Sequence, residues 1–280
     1  MSAVLPIPEN KGWQAKIDIR FAWHTKKTVL ASLKQLGPLR VQRPFYPEQD
    51  VCHVYLLHPP GGVVGGDRLD ISVQSDEHSH ALITTPGSTK FYRSAGDFAH
   101  VNQQLTVKQD SILEWFPQEN ILFPGAKIKV QTEIHLQENA SFIGWDINCL
   151  GRPVNKELFD NGSLDAVLRV YRNEKPLLIE RQRVFKQEHL SASAGLHEYP
   201  ISGIFLCSDC EETHVEQARI IVEQLKTDFP IGITLIDGFL VLRILGHQTE
   251  AIQEIMIAVW QYLRPLITNK PAMLPRIWST

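Results

Sequence analysis

Trp13-Gln14-Ala15-Lys16-Ile17-Asp18-Ile19-Arg20-Phe21-Ala22-Trp23-His24 decides the fold class. Its odd positions are apolar from Trp13 to Trp23, and its even positions are mostly polar or charged. Side chains on a strand point alternately to opposite faces, so this period of two predicts a long strand with one face buried. Ile128, Val130, Thr132, Ile134 and Leu136 repeat the pattern against Lys127, Lys129, Gln131, Glu133 and His135. Shorter strands are predicted at 51–57, 69–74, 80–85, 100–107, 111–116, 141–148, 164–171, 177–185, 201–207, 231–236 and 239–245. Turn signals separate many of them: Pro86-Gly87, Pro124-Gly125, Asn161-Gly162 and Asp237-Gly238. The last predicts a hairpin. Two segments carry helical spacing instead. Val215, Ala218, Ile221, Val222 and Leu225 share one face of 211–226, and Ile252, Ile255, Met256, Val259 and Leu263 one face of 248–264, with Pro265 after its end. Residues 186–200 and 268–280 read as irregular. No linker or repeat divides the chain, so 1–280 is expected to be one domain, mainly β, with two α-helices near its C-terminal end. Many strands on short turns imply a sandwich, a barrel or a coiled stack of sheets.

The composition narrows the function classes. With 28 Lys and Arg against 31 Asp and Glu, the formal charge is −3, and no stripe of basic residues suits nucleic acid. No apolar run approaches the ~18 residues of a membrane span. Met1-Ser2-Ala3-Val4-Leu5-Pro6-Ile7-Pro8 lacks a basic region followed by an apolar core, so the expected address is the cytoplasm. Cys52, Cys149, Cys207 and Cys210 are too few and too dispersed for a disulfide framework. Cys207-Ser208-Asp209-Cys210 with His214 offers three candidate ligands for zinc or nickel. Without a second pair, the alternative is two thiols packed at a strand end.

The densest motif is His58-Pro59-Pro60-Gly61-Gly62-Val63-Val64-Gly65-Gly66-Asp67-Arg68-Leu69. Gly61, Gly62, Gly65 and Gly66 describe a sculpted backbone that delivers the Asp67 carboxylate to a chosen place. It lacks the lysine of a phosphate-cradling loop, and an aspartate suits a cation rather than a phosphate. A plain bulge and turn between strands is the alternative. Thr84-Thr85-Pro86-Gly87-Ser88-Thr89-Lys90-Phe91-Tyr92-Arg93-Ser94 could suggest a Ser88–Lys90 nucleophile, or simply a Pro86-Gly87 turn with polar neighbours. Leu113-Glu114-Trp115-Phe116-Pro117-Gln118-Glu119-Asn120 places Glu114 and Glu119 on either side of a proline, a conceivable acid–base couple. Asp146 and Glu180 interrupt apolar strands, and a buried carboxylate must be paired, hydrated or bound to a cation. His78 and His80 form the closest histidine pair, in a turn. No H-E-x-x-H or G-x-S-x-G is present.

The glycine-rich run, the Thr84–Ser94 run and Leu113–Glu119 together resemble the signatures of the UreD (UreH) family of urease accessory proteins. Arg243-Ile244-Leu245-Gly246, Leu263-Arg264-Pro265 and Pro275-Arg276-Ile277-Trp278 are similar to its tail. The resemblance implies an elongated, superhelical, β-helix-like stack of strands with two helices. It implies a non-enzymatic cytoplasmic chaperone that joins UreF and the GTPase UreG, docks on the urease apoprotein and passes nickel through a hydrated tunnel. Such a protein would hold no tight cofactor, only transient Ni2+, in a hetero-oligomer made dimeric through UreF. By position within the motifs, Asp67, Thr89, Asp146 and Glu180 are expected to line the tunnel, and Ile277 and Trp278, with helix 248–264, to dock UreF as an otherwise uncovered apolar tail. A β-rich hydrolase using Glu114/Glu119 or Asp67/Glu180 is the alternative class. A sugar- or protein-binding β module would need exposed aromatics, and Trp13 and Trp23 lie in phase with the predicted core.

Overall fold

A computed structural model describes residues 12–185, 188–193 and 195–279. Met1 to Pro8 and part of the segment expected to be irregular, residues 186, 187 and 194, lie outside the described residues. The strands of the winding part are β1 (Gln14–His24), β2 (Lys27–Leu36), β3 (Arg40–Val41), β4 (Cys52–Leu57), β5 (Arg68–Ser75), β6 (His80–Thr84), β7 (Thr89–Phe91), β8 (Ala99–Val107), β9 (Ile112–Phe116), β10 (Asn120–Leu122), β11 (Lys127–Leu136), β12 (Ser141–Leu150), β13 (Ser163–Arg172) and β14 (Lys175–Val184). They are followed by α1 (Glu188–Ser191), β15 (Ile201–Cys207), α2 (Glu212–Gln224), β16 (Ile231–Ile236), β17 (Phe239–Gly246) and α3 (Thr249–Thr268).

The chain coils between two walls. β1, β5, β8, β11 and β13 pair in parallel on one wall, and β4, β6, β9 and β12 on the other. The short strands β7 and β10 stack at the corner. Each strand thus lies beside the one formed a full coil earlier, the stacked-coil architecture of a β-solenoid. Antiparallel β2 and β14 close the first wall, and antiparallel β15, β17 and β16 extend the second. The rung Ile17–Ile71–Gln103–Thr132–Leu168 shows the register across five strands.

Two cores follow. Ile17, Ile19, Phe21 and their counterparts fill the space between the walls, while α2 and α3 cover the outer face of β12, β15 and β17. Each fully buried Ile or Phe contributes about 1.5–3 kcal/mol through removal from water. β12 is buried on both faces: Trp145, Ile147 and Cys149 pack in the helix-side core, so Asp146 and Asn148 point between the walls. This split decides where the polar groups go.

Four expectations need correction. Trp13 and Trp23 are 66% and 41% exposed, because β1 pairs with β5 only from Gln14 to Phe21, so neither tryptophan has a strand neighbour on that side. β2 escaped the alternation rule because it is an edge strand with little burial. Among the described residues a third, short α-helix, α1, joins the two expected ones and falls in the segment read as irregular. Finally, α3 continues through Pro265 to Thr268. Proline gives up its N–H bond to the previous turn and its ring crowds the carbonyl four residues back, yet the helix runs one more turn before it ends. Thr268 Oγ1 donates to the Arg264 carbonyl at 2.8 Å, and Asn269, in the left-handed region, closes the end on the Pro265 carbonyl.

Candidate functional site: a polar network between the walls

Asn120 on β10 is in register with Thr89 on one side and Asn148 on the other, and Asn148 is in register with Ser202. Asp146 shares a second row with Ile204 and Arg243. Parallel stacking therefore converts polar residues scattered over more than a hundred positions into two adjacent ladders. Hydrogen bonds connect them. Asn120 Nδ2 donates to Asp146 Oδ1 and to Asn148 Oδ1, and Asn148 Nδ2 donates to Asp146 Oδ2, each at 3.1 Å. Asn148 Nδ2 also reaches Gln182 Oε1 at 3.3 Å, and Gln182 Nε2 donates to Ser202 Oγ at 2.7 Å.

The network borders two cavities. The smaller, about 350 Å³, lies beneath the His58–Gly62 and Thr85–Lys90 loops. The larger, about 1030 Å³, opens between β13, β14, β15 and β17. Asp146 lines both, together with a void of about 10 Å³. Burial pushes the Asp146 carboxyl above the usual carboxylate range, against the pull of its bonds from Asn148 and Asn120. Among the described residues it has no cationic partner within ion-pair distance.

The other expected tunnel residues separate. Thr89 lines the smaller cavity. Glu180 lines the larger one, where Arg243 pairs with it through Nη2 and, at 3.4 Å, through Nε. Asp67 lines neither cavity. It is 5% exposed and accepts from the Trp13 N–H at 2.7 Å and the Val64 N–H at 2.9 Å. Its carboxylate pins the glycine-rich loop to the start of β1, and two backbone donors leave it little need of a cation. The glycines around it are steric requirements: a Cβ on Gly65 would lie 2.2 Å from Ser94 Oγ, and Gly66 has φ +92°. Gly61, Gly62, Pro86 and Gly87 border the smaller cavity.

The remaining candidates have structural partners. Ser88 Oγ donates to Glu119 Oε1 at 2.6 Å, and Lys90 is exposed. Glu114 is fully buried and accepts from His80 Nε2 at 2.7 Å, Trp260 Nε1 at 2.8 Å and Arg264 Nη2 at 2.9 Å. Burial alone would raise its pKa, but the His80 bond and the Arg264 charge win and hold it at about 2. It is no proton donor near neutrality, and His80 is turned to it rather than to His78. Both Cys207 Sγ and Cys210 Sγ donate to the Ser208 carbonyl at 3.6 Å, and burial pushes the Cys207 thiol well up. His214 Nδ1 instead accepts from the Glu211 N–H at 2.9 Å in the capping box of α2. Among the described residues no three His, Cys, Asp or Glu side chains are grouped to hold a metal. Trp278 is not an uncovered tail residue. It packs on Trp145, Trp260 and Phe116, and its Nε1 donates to Thr84 Oγ1 at 2.9 Å. Ile277 is half-buried.

A family profile described as UreD urease accessory protein matches residues 14–279. The chain belongs to the UreD family of urease accessory proteins. It is 55% identical over 275 residues to the urease accessory protein UreD of Alcanivorax borkumensis, covering 97% of this chain and 94% of that one. It is 50% identical over 273 residues to that of Citrobacter koseri (96% and 93% covered) and 46% identical over 273 residues to that of Klebsiella aerogenes (98% and 99%). UreD membership gives the chain an accessory, non-catalytic role in urease maturation and displaces the hydrolase alternative. The stacked-coil fold and the helices near the C-terminal end agree with the expectation drawn from the UreD motifs. Among the described residues no helix is long and apolar enough to cross a membrane. The network and cavity residues that the sequence did not single out as site residues are Asn120, Asn148, Gln182, Ser202 and Arg243. Asn148 alone carried a local signal: it lies two residues from Asp146 on an apolar strand, hence on the same face.

Proposed function

We propose that this chain is the conduit through which Ni2+ reaches urease, acting as a single unit in the cytoplasm with UreF, UreG and the urease apoprotein, in a hetero-oligomer made dimeric through UreF. It holds no tight cofactor, and Ni2+ is cargo. Neither nucleic acid nor membrane is a partner. The observation that carries the reading is Asp146, a carboxylate without a cationic partner facing both cavities. Oxygen donors from Asp146, Asn120, Asn148, Ser202 and Thr89 would replace part of the ion's hydration while leaving it free to move on; a thiolate cage would trap it. The carboxylate charge offsets the cost of bringing a divalent cation between two apolar walls. Asp67 supports the same route indirectly by fixing the loop over the smaller cavity. Trp278 and Ile277 serve UreF docking through the surface that α3 and the tail build together.

The experiment is in vitro urease activation by the accessory complex carrying Asp146→Leu or Asp146→Asn. Loss of activation with normal complex assembly is the expected result. Wild-type activation would remove the basis of the conduit.

A further inference from the structure

We infer that Arg243 is a mobile counter-ion gate at the wide end of the passage, releasing the cation that Asp146 admits by competing with it for Glu180. This rests on the conduit reading above and adds a residue that sets direction and release. Arg243 lies in the same cross-strand row as Asp146, with Ile204 between them. Two strand spacings of about 4.8 Å put the two backbones roughly 10 Å apart. Asp146 and Glu180 are the two carboxylates lining the larger cavity, and they differ in state. Asp146 is held by amide donors, whereas Glu180 is already neutralised by Arg243.

That difference has a consequence for a passing cation. Two free carboxylates in one cavity would bind a divalent ion jointly and hold it. With Glu180 occupied, the ion meets one carboxylate and a guanidinium facing it, which weakens retention. To move forward it must take Glu180 from Arg243, and to leave it must surrender Glu180 again. The structure provides for the exchange. Arg243 Nη1 already donates to Thr234 Oγ1 at 3.1 Å, so the guanidinium has a second acceptor when Glu180 is taken. The cross-strand neighbour of Arg243 on β16 is Gly232, and a Cβ there would meet nothing within 4 Å. A side chain beyond hydrogen is therefore missing beside the one arginine that has to move. Arg181 and Arg183, the other arginines at this cavity, are both drawn to Asp165 instead and leave Glu180 to Arg243.

The test loads the assembled accessory complex with Ni2+, follows release into a colorimetric chelator, and measures urease activation in parallel. Arg243→Gln frees Glu180, so release is expected to slow roughly tenfold, equivalent to about 1.4 kcal/mol, with activation falling in step. Arg243→Lys restores much of both. Gly232→Leu keeps the ion pair but fills the space beside it, and is expected to slow release without unfolding the chain. It carries the test alone if Arg243→Gln fails to assemble. Release and activation at wild-type rates in both Arg243→Gln and Gly232→Leu overturn the gate. Asp146→Asn separates the two ideas: if it loses activation while the gate variants keep it, the gate falls and the conduit stands. If Asp146→Asn also activates normally, both fall.

Discussion

Arg264 on α3 and Glu114 on β9 meet at 2.9 Å with neither side chain exposed. The same guanidinium bonds Glu48, in the segment before β4, at 2.8 Å through Nη1, and Glu48 in turn bonds His53 at 2.7 Å. One arginine thus ties the C-terminal helix to a coil of the solenoid 150 residues earlier and to a loop 216 residues earlier. Removing one partner of a buried pair strands the other charge, which costs about 3–5 kcal/mol. Arg264→Met leaves Glu114 and Glu48 with their histidine partners but without the arginine that pairs both, and is expected to lose stability in that range. Arg264→Met combined with Glu114→Met should lose less than the sum of the single changes, as denaturant unfolding would measure.

Glu114 also gives the chain an acid limit. Its pKa is lowered from the usual 4.5 to about 2, because the His80 bond and Arg264 overcome burial. A carboxylate depressed on folding contributes stability above its unfolded value and loses it as pH falls through the folded value. The contribution is on the order of 3 kcal/mol and should disappear between about pH 4.5 and pH 2. Glu48 is lowered too, although burial opposes it, through its bonds to His53 and Arg264, and adds to the loss in the same direction. Melting temperature against pH checks this: Glu114→Gln should start lower at neutral pH and fall less steeply through that acid window.

Asp146 predicts the opposite sign. Burial raises its pKa, so a proton binds Asp146 more tightly in the folded chain than in the unfolded one. That advantage is complete below the unfolded value and is lost as pH rises through the folded value. Asp146→Asn removes the penalised charge, so its melting temperature should exceed wild type at neutral pH, with the gap closing on acidification. The same change should abolish urease activation. A residue that weakens the fold while supporting activity is expected where function, not packing, sets its identity.

How far the sequence was legible follows from where each signal resides. Ile17, Ile19 and Phe21 announced β1 because alternation is local, and it failed only at Trp13 and Trp23, where the neighbouring strand ends. Val215 and Val259 announced the two longer helices for the same reason. The polar network was half legible. Asp146 and Glu180 stood out as carboxylates in apolar strands, but their neighbours are set by coil stacking. Asn120 reaches Asn148 and Thr89 only because β7, β10 and β12 are in register. The partners of Asp67 were hidden for a related reason, since they are the backbone N–H groups of Trp13 and Val64, and main-chain donors leave no mark in a side-chain pattern. Arg264 was invisible as an anchor, because nothing local links it to Glu48 or Glu114.

Trp278 separates self-packing from partner docking. Its ring closes a cluster with Phe116, Trp145 and Trp260 at centroid distances of 5.1–5.7 Å, and its indole N–H is bound to Thr84. Thr84 Oγ1 passes the link on to the Phe116 carbonyl at 2.6 Å, so the tail fastens the end of β6 to the end of β9. Truncating such a ring loses buried area, edge-to-face contacts and one hydrogen bond. For a half-buried indole this amounts to about 2–3 kcal/mol, below the 3–5 kcal/mol of a fully buried one. Trp278→Ala should therefore lower the melting temperature of the chain before any partner is added, and Trp278→Phe should recover part of the loss. Unchanged stability in Trp278→Ala, with UreF pull-down reduced, would assign the residue to docking alone. Reduced stability with pull-down retained would make the tail a strap of the fold, leaving α3 and the rest of that surface to meet the partner.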